Sequence, residues 1–360
     1  MDRSLSWYLF VVSQLDYSDY WMKNLIYIIQ YFSYPILAFV GVPANVVTIF
    51  ILLRRNCGLS GCITRYLLMM AIADLTVVFL DLILRHMPII YSIYSLMSLP
   101  VCNIHAVLLY AATDCSVWFT VTFTFDRFVA ICCLNLKGRY CNEKMATLVL
   151  RIVAVASCLK NIFWYFMFKI WYRRWNFPWF CLVTSVGKWS PVFAVLELTH
   201  NILNPCLPFL LILLLNILTV RHISLSSRAR RRLRRHSSAD VPRDKEMESR
   251  RKSMKLLFLL SANFIVLWSL LMIYSVCWRL DAIIIPNVFL PTSVHELGFV
   301  LQLLSCSTNT AIYAVTQTKF RQHLKNLLAY PFTQIYLFIK CIRYSLFSGL
   351  PSCSNGLLVW

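Results

Sequence analysis

The chain has 360 residues, of which 59% are hydrophobic and only 14% are charged, and its formal net charge is +20 at pH 7. A soluble globular domain carries about 25% charged residues, so this composition excludes an ordinary soluble domain and is typical of a membrane protein. The positive charge is concentrated in short segments between long apolar runs.

Seven apolar runs are long enough to cross a bilayer as helices, for which about 20 residues suffice. They are continuous rather than alternating, which favours helices over a β-barrel. The runs occupy residues 29–53, 63–84, 101–133, 146–168, 192–220, 254–277 and 297–317. The seventh is the most polar, because it is interrupted by Gln302, Ser305, Ser307 and Asn309. The predicted fold is an all-α membrane protein, a bundle of seven transmembrane helices.

The other segments are arranged around this bundle, which spans 29–317. Residues 1–28 precede it without a convincing signal peptide, so the first helix is expected to insert as a signal anchor. Residues 222–253 are expected to form a basic loop, and 330–360 a tail. Between bundle and tail, residues 318–329 predict an amphipathic helix along the membrane surface. Its apolar face carries Phe320, Leu324, Leu327 and Leu328.

Basic side chains recur in alternate connections, which predicts the orientation of the bundle. They include Arg54, Arg55, Arg65, Lys137, Arg139, Lys144, the run "RARRRLRRHSS" and Lys319, Arg321 and Lys325. Cytosolic loops of membrane proteins carry an excess of Lys and Arg, so these loops are expected in the cytosol and the N-terminus outside the cell. The expected location is the plasma membrane, as a multi-pass protein. The basic run alone would suit nucleic acid. Between two spans it cannot reach chromatin, so lipid headgroups are its expected partner and nucleic acid is not.

Two cysteines lie outside the apolar interior of the spans. Cys102 opens the third span on the outer side, and Cys181 lies in the long outer loop before the fifth. In an oxidising compartment they are expected to pair and hold that loop over the bundle; the alternative is that neither is bonded.

The stretch "TFTFDRFVAI" places Asp126 and Arg127 among apolar and aromatic residues. A charge at the centre of a bilayer helix costs roughly 2.5–3.5 kcal/mol, so such residues tend to lie at helix ends or to be functional. The predicted orientation places both at the cytosolic end of the third helix.

Several motifs in this order resemble those of the rhodopsin-like (class A) G-protein coupled receptors. They are Asn45 in "GVPAN", Asp74 in "MAIADL", the triplet Asp126, Arg127 and Phe128, Phe264 and Trp268 in "FIVLW", and Asn309 and Tyr313 in "NTAIY". Longer stretches, such as "AATDCSVWFTVTFTFDRFVAICC" and "TNTAIYAVTQTKFR", resemble a fish orphan group of probable G-protein coupled receptor 139-like sequences. The sequence departs from the class A pattern at Leu270 and Thr310, where prolines are usual, and in lacking a mid-helix Trp in the fourth span.

The resemblance implies a switch for a heterotrimeric G protein. Arg127 would be held at rest by Asp126 and meet the G protein when the sixth helix moves outward. The position that often supplies a second, acidic restraint is here Arg250, which predicts a weak resting lock and ligand-independent signalling. The alternative is that Arg127 only anchors the helix at the interface. The other implied switch and activation-core residues are Phe128, Asn309, Tyr313, Asn45, Phe264 and Trp268.

The resemblance also implies a sodium pocket in the middle of the bundle. Its oxygen ligands would be Asp74, Ser116, Ser305 and Asn309 around an allosteric Na⁺, the one cofactor expected. The alternative is hydrogen-bonded water around a neutral Asp74.

Polar and aromatic side chains of the outer half predict a pocket for a small ligand. They are Asp81, Arg85, His105, Tyr110, Thr113, Glu197, His200, Tyr274 and Glu296. Both charge signs suit a zwitterion or short peptide, and the orphan-group resemblance favours an aromatic amino acid. Arg85 is expected to bind a carboxylate and Glu197 an ammonium group. The alternative for Asp81 and Arg85 is a structural pair, because they lie four residues apart.

Other function classes fit less well. The sequence contains no metal-ligand cluster and no nucleophile motif that would predict an enzyme. An ion channel or transporter is the main alternative because it would use intramembrane charges, although transporters usually show internal repeats or broken helices that this sequence lacks.

Overall fold

The computed structural model describes residues 3–54, 58–91, 99–167, 191–234, 245–283, 290–330 and 336. Throughout these ranges the regular elements are helices. Seven long helices run in chain order: α1 (Arg3–Leu53), α2 (Gly61–Tyr91), α3 (Leu99–Cys132), α4 (Glu143–Asn161), α5 (from Pro191 to Arg234), α6 (Lys245–Ile283) and α7 (Thr292–Thr316). Two short helices, Leu134–Tyr140 and Trp164–Met167, flank α4, and residues 318–330 form α8.

The helices coincide with the seven predicted spans, and this confirms the predicted fold class. Six helices of the described chain, α1 to α6, contain segments long and apolar enough to cross a membrane. The seventh, α7, is more polar. It buries Gln302, Ser305, Ser307, Asn309 and Thr310. Since α7 packs most extensively against α6 and α1, its polar residues face other helices rather than lipid.

Three helices extend beyond the predicted boundaries. α1 begins at Arg3, so most of the segment 1–28 is helical. The predicted basic loop 222–253 is largely helix as well, because α5 continues to Arg234 and α6 begins at Lys245. Arg, Lys, Leu and Glu favour helix when packing does not decide, which accounts for the extensions of α5 and α6.

Wide, π-type turns interrupt two of the spans. In α2 the stretch Val78–His86 has this form, and in α5 the stretch Ile202–Cys206 includes Asn204 with non-helical backbone angles (φ −158°, ψ 113°). A π-type turn inserts extra backbone and rotates the residues beyond it relative to the rest of the helix. Both sites lie beside polar clusters: Asp81 and Arg85 are in the first stretch and Asn204 in the second.

The apolar core has three main parts. The first part lies at the end of the bundle that contains Arg127, which is called the Arg127 end. It buries Tyr66, Phe123 and Tyr313 almost completely, together with Phe320 of α8. At the opposite end, which contains Arg85 and is called the Arg85 end, α1, α2, α3 and α7 form a second cluster. A third cluster lies between α3, α5 and α6 and includes Trp268. The polar sites lie within and between these layers.

α8 packs one face on the bundle, as its sequence predicts. Phe320 is fully buried against Tyr313, with ring centroids 5.8 Å apart, and Leu324 and Leu327 pack on the same cluster. Leu328, the fourth predicted member of that face, is 60% exposed. It therefore points away from the bundle.

Candidate functional site

Arg127 is buried at its end of α3 and contacts two other side chains. Its Nε donates a hydrogen bond to Asp126 Oδ2 over 3.0 Å, and its Nη2 contacts the same carboxylate. Its Nη1 donates to the hydroxyl of Ser253 in α6 over 3.3 Å. A guanidinium has five N–H donors in a rigid fork, so it can hold the neighbouring carboxylate and a group on another helix at once. Arg127 therefore connects α3 to α6.

Asp126 is held in place from two further directions. The thiol of Cys62 in α2 donates to its Oδ1 over 3.2 Å, and the thiol of Cys141 contacts its backbone oxygen over 3.5 Å. The carboxylate is completely buried. A buried carboxylate that is paired and hydrogen-bonded is fixed in position, so it also fixes the guanidinium beside it. Phe128, the third residue of the triplet, is half-buried and lies near Phe125.

A cavity of about 380 Å³ opens beside Arg127. Its walls come from α2, α3, α6, the start of α8 and the connections between helices. Four of its lining residues are basic: Arg127, Lys137, Lys252 and Lys319. Ser253, Ser60, Gln317 and Thr318 add polar atoms, and none of the described lining residues is an acid. The cavity is therefore suited to an anionic or carbonyl-rich partner.

Phe264 and Trp268 lie one turn apart at the centre of α6, with their rings stacked at 5.3 Å. Both are buried against Val117 and Ile212 of neighbouring helices. α6 is continuous from Lys245 to Ile283, and Leu270 lies within it where the resembled family has a proline. Without a proline at this position, α6 has no proline kink, as the sequence predicts.

Asp74 is buried in the middle of the bundle and is hydrogen-bonded by two of its predicted partners. Ser116 donates to Oδ1 over 2.5 Å, and the amide of Asn309 donates to Oδ2 over 2.7 Å. Ser305 instead accepts a hydrogen bond from Asn263 of α6, at 3.2 Å. Oxygen ligands suit a hard cation. Asp74 and Ser116 supply them at one point. Asn309 presents its amide nitrogen to Asp74, so its side chain would have to flip to offer Oδ1 to an ion, and Ser305 would have to turn from Asn263 to join them.

Asn263 connects α6 to α7 through several contacts. Besides Ser305, its amide lies 3.4 Å from Asn309 Oδ1, and its carbonyl accepts a hydrogen bond from Thr308 over 3.0 Å. Since Asn309 also binds Asp74, the two helices share one polar network. Tyr313 lies farther along α7 and is buried. The predicted switch residues Asn309 and Tyr313 thus lie on the same helix, one in this network and one in the apolar core.

α1 and α7 meet closely through small and polar residues. Asn45 donates hydrogen bonds to the backbone oxygens of Gly41 and Cys306, over 2.9 and 3.0 Å. Thr310 shares a hydrogen bond of 2.8 Å with Thr48 and donates to the carbonyl of Ala44 over 3.1 Å. The threonine that replaces the family's proline therefore joins α7 to α1.

At the Arg85 end, the predicted ligand residues of α2 and α7 form one network with α1. Arg85 Nη1 lies 3.0 Å from Asp81 Oδ1, and its guanidinium lies 5.3 Å from the centre of the Phe299 ring. Gln30 of α1 donates to Glu296 over 2.8 Å. Tyr274 stacks on His295 at 4.5 Å. These contacts place both charge signs and several rings within one region.

The predicted residues of α3 and α5 lie in other surroundings. Tyr110 stacks on Trp164 at 4.1 Å, and His200 meets both rings edge-on. His105 is buried and contacts the backbone oxygen of Leu80 over 2.8 Å, while Thr113 donates to the carbonyl of Leu109 within its own helix. The outer residues thus form an acid–base cluster and an aromatic cluster.

A buried ion pair joins α3 to α4 near the aromatic cluster. Lys160 Nζ lies 2.6 Å from Asp114 Oδ2, and Asp114 is completely buried. The amides of Asn161 and Asn204 donate to the two oxygens of Asp114, over 2.5 and 2.6 Å. Trp164 donates to Asn161 over 3.1 Å. The Asp114 carboxylate of α3 thus contacts side chains of both α4 and α5.

Some predicted contacts involve side chains outside the described part of the chain. Cys102 is disulfide-bonded, which excludes the alternative that it is free. Cys181 lies outside the described residues, so its pairing with Cys102 stays a prediction. The side chains of Glu197 and Arg250 are also outside the described set, although both residues lie within helices.

Three sets of polar residues were not predicted to make the contacts that they make: Ser253, Asn263, and Lys160 with Asn161. Asn263 and Lys160 are polar residues within apolar runs, and that is the signal by which they could have been found. Ser253 directly follows a basic run. Their partners depend on the rotation of each helix in the bundle, which a single sequence does not specify.

One comparison with known proteins bears on this arrangement. The family model described as 7 transmembrane receptor (rhodopsin family) matches residues 44–313, which is well over half of the chain and includes the bundle from Asn45 to Tyr313. This family consists of G-protein coupled receptors embedded in membranes and not, in general, of enzymes. The chain belongs to the rhodopsin family of seven-transmembrane receptors.

Proposed function

We propose that this receptor binds a small extracellular ligand at its Arg85 end and activates heterotrimeric G proteins at its Arg127 end. The observation that carries the proposal is the contact of Arg127 with both Asp126 and Ser253 beside a basic cavity. Separation of α6 from α3 would break the Ser253 contact. The Arg127 side chain would then be available to a partner that enters the cavity.

The positive-inside rule supports this orientation. The lining residues Lys137, Lys252 and Lys319, together with the basic extensions of α5 and α6, belong to the Arg127 end. That end would face the cytosol of the cell, and the N-terminus would lie outside the plasma membrane. The disulfide of Cys102 with Cys181 would then lie on the oxidising side.

Asp74 supports a sodium-dependent resting state. Its carboxylate would bind Na⁺ with the hydroxyl oxygen of Ser116. Asn309 would flip to offer its Oδ1, and Ser305 would join after releasing Asn263. Because Asn263 belongs to α6, occupancy of the site by the ion would be coupled to the contact between α6 and α7. Sodium would thus favour one arrangement of these helices.

The ligand class is proposed from the acid–base cluster at the Arg85 end. Arg85 offers a cation for a carboxylate, and Glu296 an anion for an ammonium group, and the rings of Phe299 and Tyr274 suit an aromatic side chain. Glu197 of α5 would provide a second acid. The resemblance to the fish orphan group supports an aromatic amino acid or a short peptide.

The test is nucleotide exchange on purified heterotrimeric G proteins by the receptor in lipid nanodiscs. We expect exchange above that of empty nanodiscs with at least one G-protein class. Exchange equal to the empty discs with every class, both without ligand and with aromatic amino acids or short peptides, would overturn the proposal. Ion flux through receptor vesicles in that case would favour a channel or transporter.

A further inference from the structure

Ser253 lies where a negative charge would act on Arg127. Its hydroxyl accepts the hydrogen bond from Arg127 Nη1, and it lines the basic cavity with Lys252. The hydroxyl is neutral, so the only anion that the structure places in hydrogen-bonding contact with the described Arg127 side chain is Asp126 of its own helix. Among the described side chains, the link between α3 and α6 therefore lacks an acid on the α6 side.

The sequence before Ser253 is that of a basic kinase substrate. Arg250, Arg251 and Lys252 directly precede it in "EMESRRKS". Ser253 lies within the first three turns of α6 and is half-buried, at the rim of the cavity rather than in the apolar core. End turns of a helix open locally at low free-energy cost, which would expose the extended backbone that a kinase active site requires.

We infer that Ser253 is a phosphorylation site whose phosphate binds Arg127 and locks α6 to α3. The inference rests on the proposed coupling to G proteins. In the reaction, Ser253 Oγ forms a bond to the γ-phosphorus of ATP, and the bond from that phosphorus to the β–γ bridging oxygen breaks. ADP leaves with the electron pair, and a base of the kinase takes the hydroxyl proton.

The geometry favours the phosphorylated state once it forms. A phosphoserine has a charge of about −1.5 to −2 and three strong acceptor oxygens, and Arg pairs with phosphate through two parallel N–H donors. Asp126 occupies Nε and Nη2 of Arg127, whereas Nη1 already points to Ser253. Lys137 and Lys319 line the same cavity. The phosphate would therefore enter a positively charged space next to the donor that it needs.

Two consequences follow for signalling. The phosphate would supply the acid that the Arg250 position lacks, so the contact between α3 and α6 would strengthen. It would also occupy the cavity that the G protein is proposed to enter. Both effects reduce ligand-independent output, and a charge-assisted hydrogen bond of this kind changes an equilibrium about tenfold or more.

The first experiment measures G-protein nucleotide exchange before and after treatment with a basic-directed serine kinase and ATP. The receptor in nanodiscs contains Ser237→Ala and Ser238→Ala, which remove the other serines that follow a basic run. The matched control adds Ser253→Ala. We expect one phosphate on Ser253 by mass spectrometry and about a tenfold fall in basal exchange, with no fall in the control. No phosphate at Ser253, or a phosphate without a fall in exchange, would overturn the inference.

The second experiment needs no G protein and so separates failure of this inference from failure of the proposed function. It measures the rate at which a phosphatase removes the phosphate from Ser253. We expect removal about tenfold faster in Arg127→Ala than in the otherwise identical receptor. In Lys319→Ala the rate of removal should be closer to that of the receptor that retains Arg127 and Lys319. Equal rates in the presence and absence of Arg127 would show that the phosphate does not bind it.

Discussion

Lys160 and Asp114 form an ion pair inside the helix bundle, with Lys160 Nζ 2.6 Å from Asp114 Oδ2. The pair joins α4 to α3, and Asn204 extends the contact to α5. Burial of two charges is costly in itself, so such a pair indicates a specific arrangement of helices more than it indicates high stability. Here it fixes the rotation of three helices next to the aromatic cluster of Tyr110 and His200.

Replacement of Lys160 by Met should therefore destabilise the receptor. The substitution keeps an apolar side chain of similar length but leaves the Asp114 charge buried without its cation. Removal of one partner of a buried pair costs about 3–5 kcal/mol, and we expect about 3 kcal/mol because the Lys160 side chain is 23% exposed. The free energy of unfolding in mixed micelles measures this. Addition of Asp114→Asn to the Lys160→Met receptor should recover most of the loss. Equal stability of the single and double variants would contradict the pairing.

Gly41 should not tolerate a side chain, because α1 and α7 approach closely there. A Cβ atom at Gly41 would lie 2.5 Å from the hydroxyl oxygen of Ser307. We expect Gly41→Ala to cost about 1–3 kcal/mol, as overpacking of a core does. Ser307→Ala removes that oxygen and should restore much of the stability in the double variant. Gly138→Ala is the matched control, since a Cβ there has no neighbour within 4 Å. A Gly41→Ala receptor as stable as this control would be inconsistent with the close contact.

Sodium should stabilise the receptor through Asp74. A ligand at ten times its Kd stabilises the state that binds it by about 1.4 kcal/mol. We expect the apparent unfolding temperature to rise when NaCl replaces choline chloride at equal ionic strength. Asp74→Asn keeps the size of the side chain and the Ser116 contact but removes the charge, so the sodium effect should disappear. The same rise in both receptors would rule out a sodium site at Asp74.

Arg85 should recognise the carboxylate of the ligand. Aromatic amino acids and their methyl esters differ in that group, so an effective amino acid should lose most of its effect as the ester. Arg85→Gln should lose the response to the acid at least tenfold, since hydrogen bonds to charged groups contribute about 1.5–3 kcal/mol. Concentration–response curves of G-protein activation measure both. If Arg85→Gln lowers surface expression but leaves the response of the remaining receptor unchanged, Asp81 and Arg85 are only a structural pair.

Six of the seven helices could be predicted because each contains a long apolar run, which hydropathy defines, whereas α7 is interrupted by polar residues. Some neighbours of Asp126, Asp74 and Trp268 could also be predicted, since these three residues lie in short motifs that follow one another in a fixed order. Ser116 and Asn309 do bind Asp74. These contacts join three helices, and they were expected from the resemblance to class A receptors rather than from spacing along one helix.

Contacts between helices were harder to predict. Ser305 was expected at Asp74 but accepts a hydrogen bond from Asn263. The outer residues that were predicted to form one pocket are divided between two clusters. The π-type turns in α2 and α5 contribute to this, because they rotate the residues that follow them. The basic segment 222–253 was predicted as a loop since its charge was the dominant signal, although its residues also favour helix. The contact of Ser253 with Arg127 was not predicted either, because it too joins two helices.

The most direct test of the account is G-protein activation without ligand in cells that express this receptor or Arg127→Ala at matched surface levels. With a weak resting lock, the unmodified receptor should signal above untransfected cells, and the variant should lose that signal because Arg127 is the residue that meets the G protein. A basal signal of equal size in both would contradict the assignment of Arg127 as the G-protein switch.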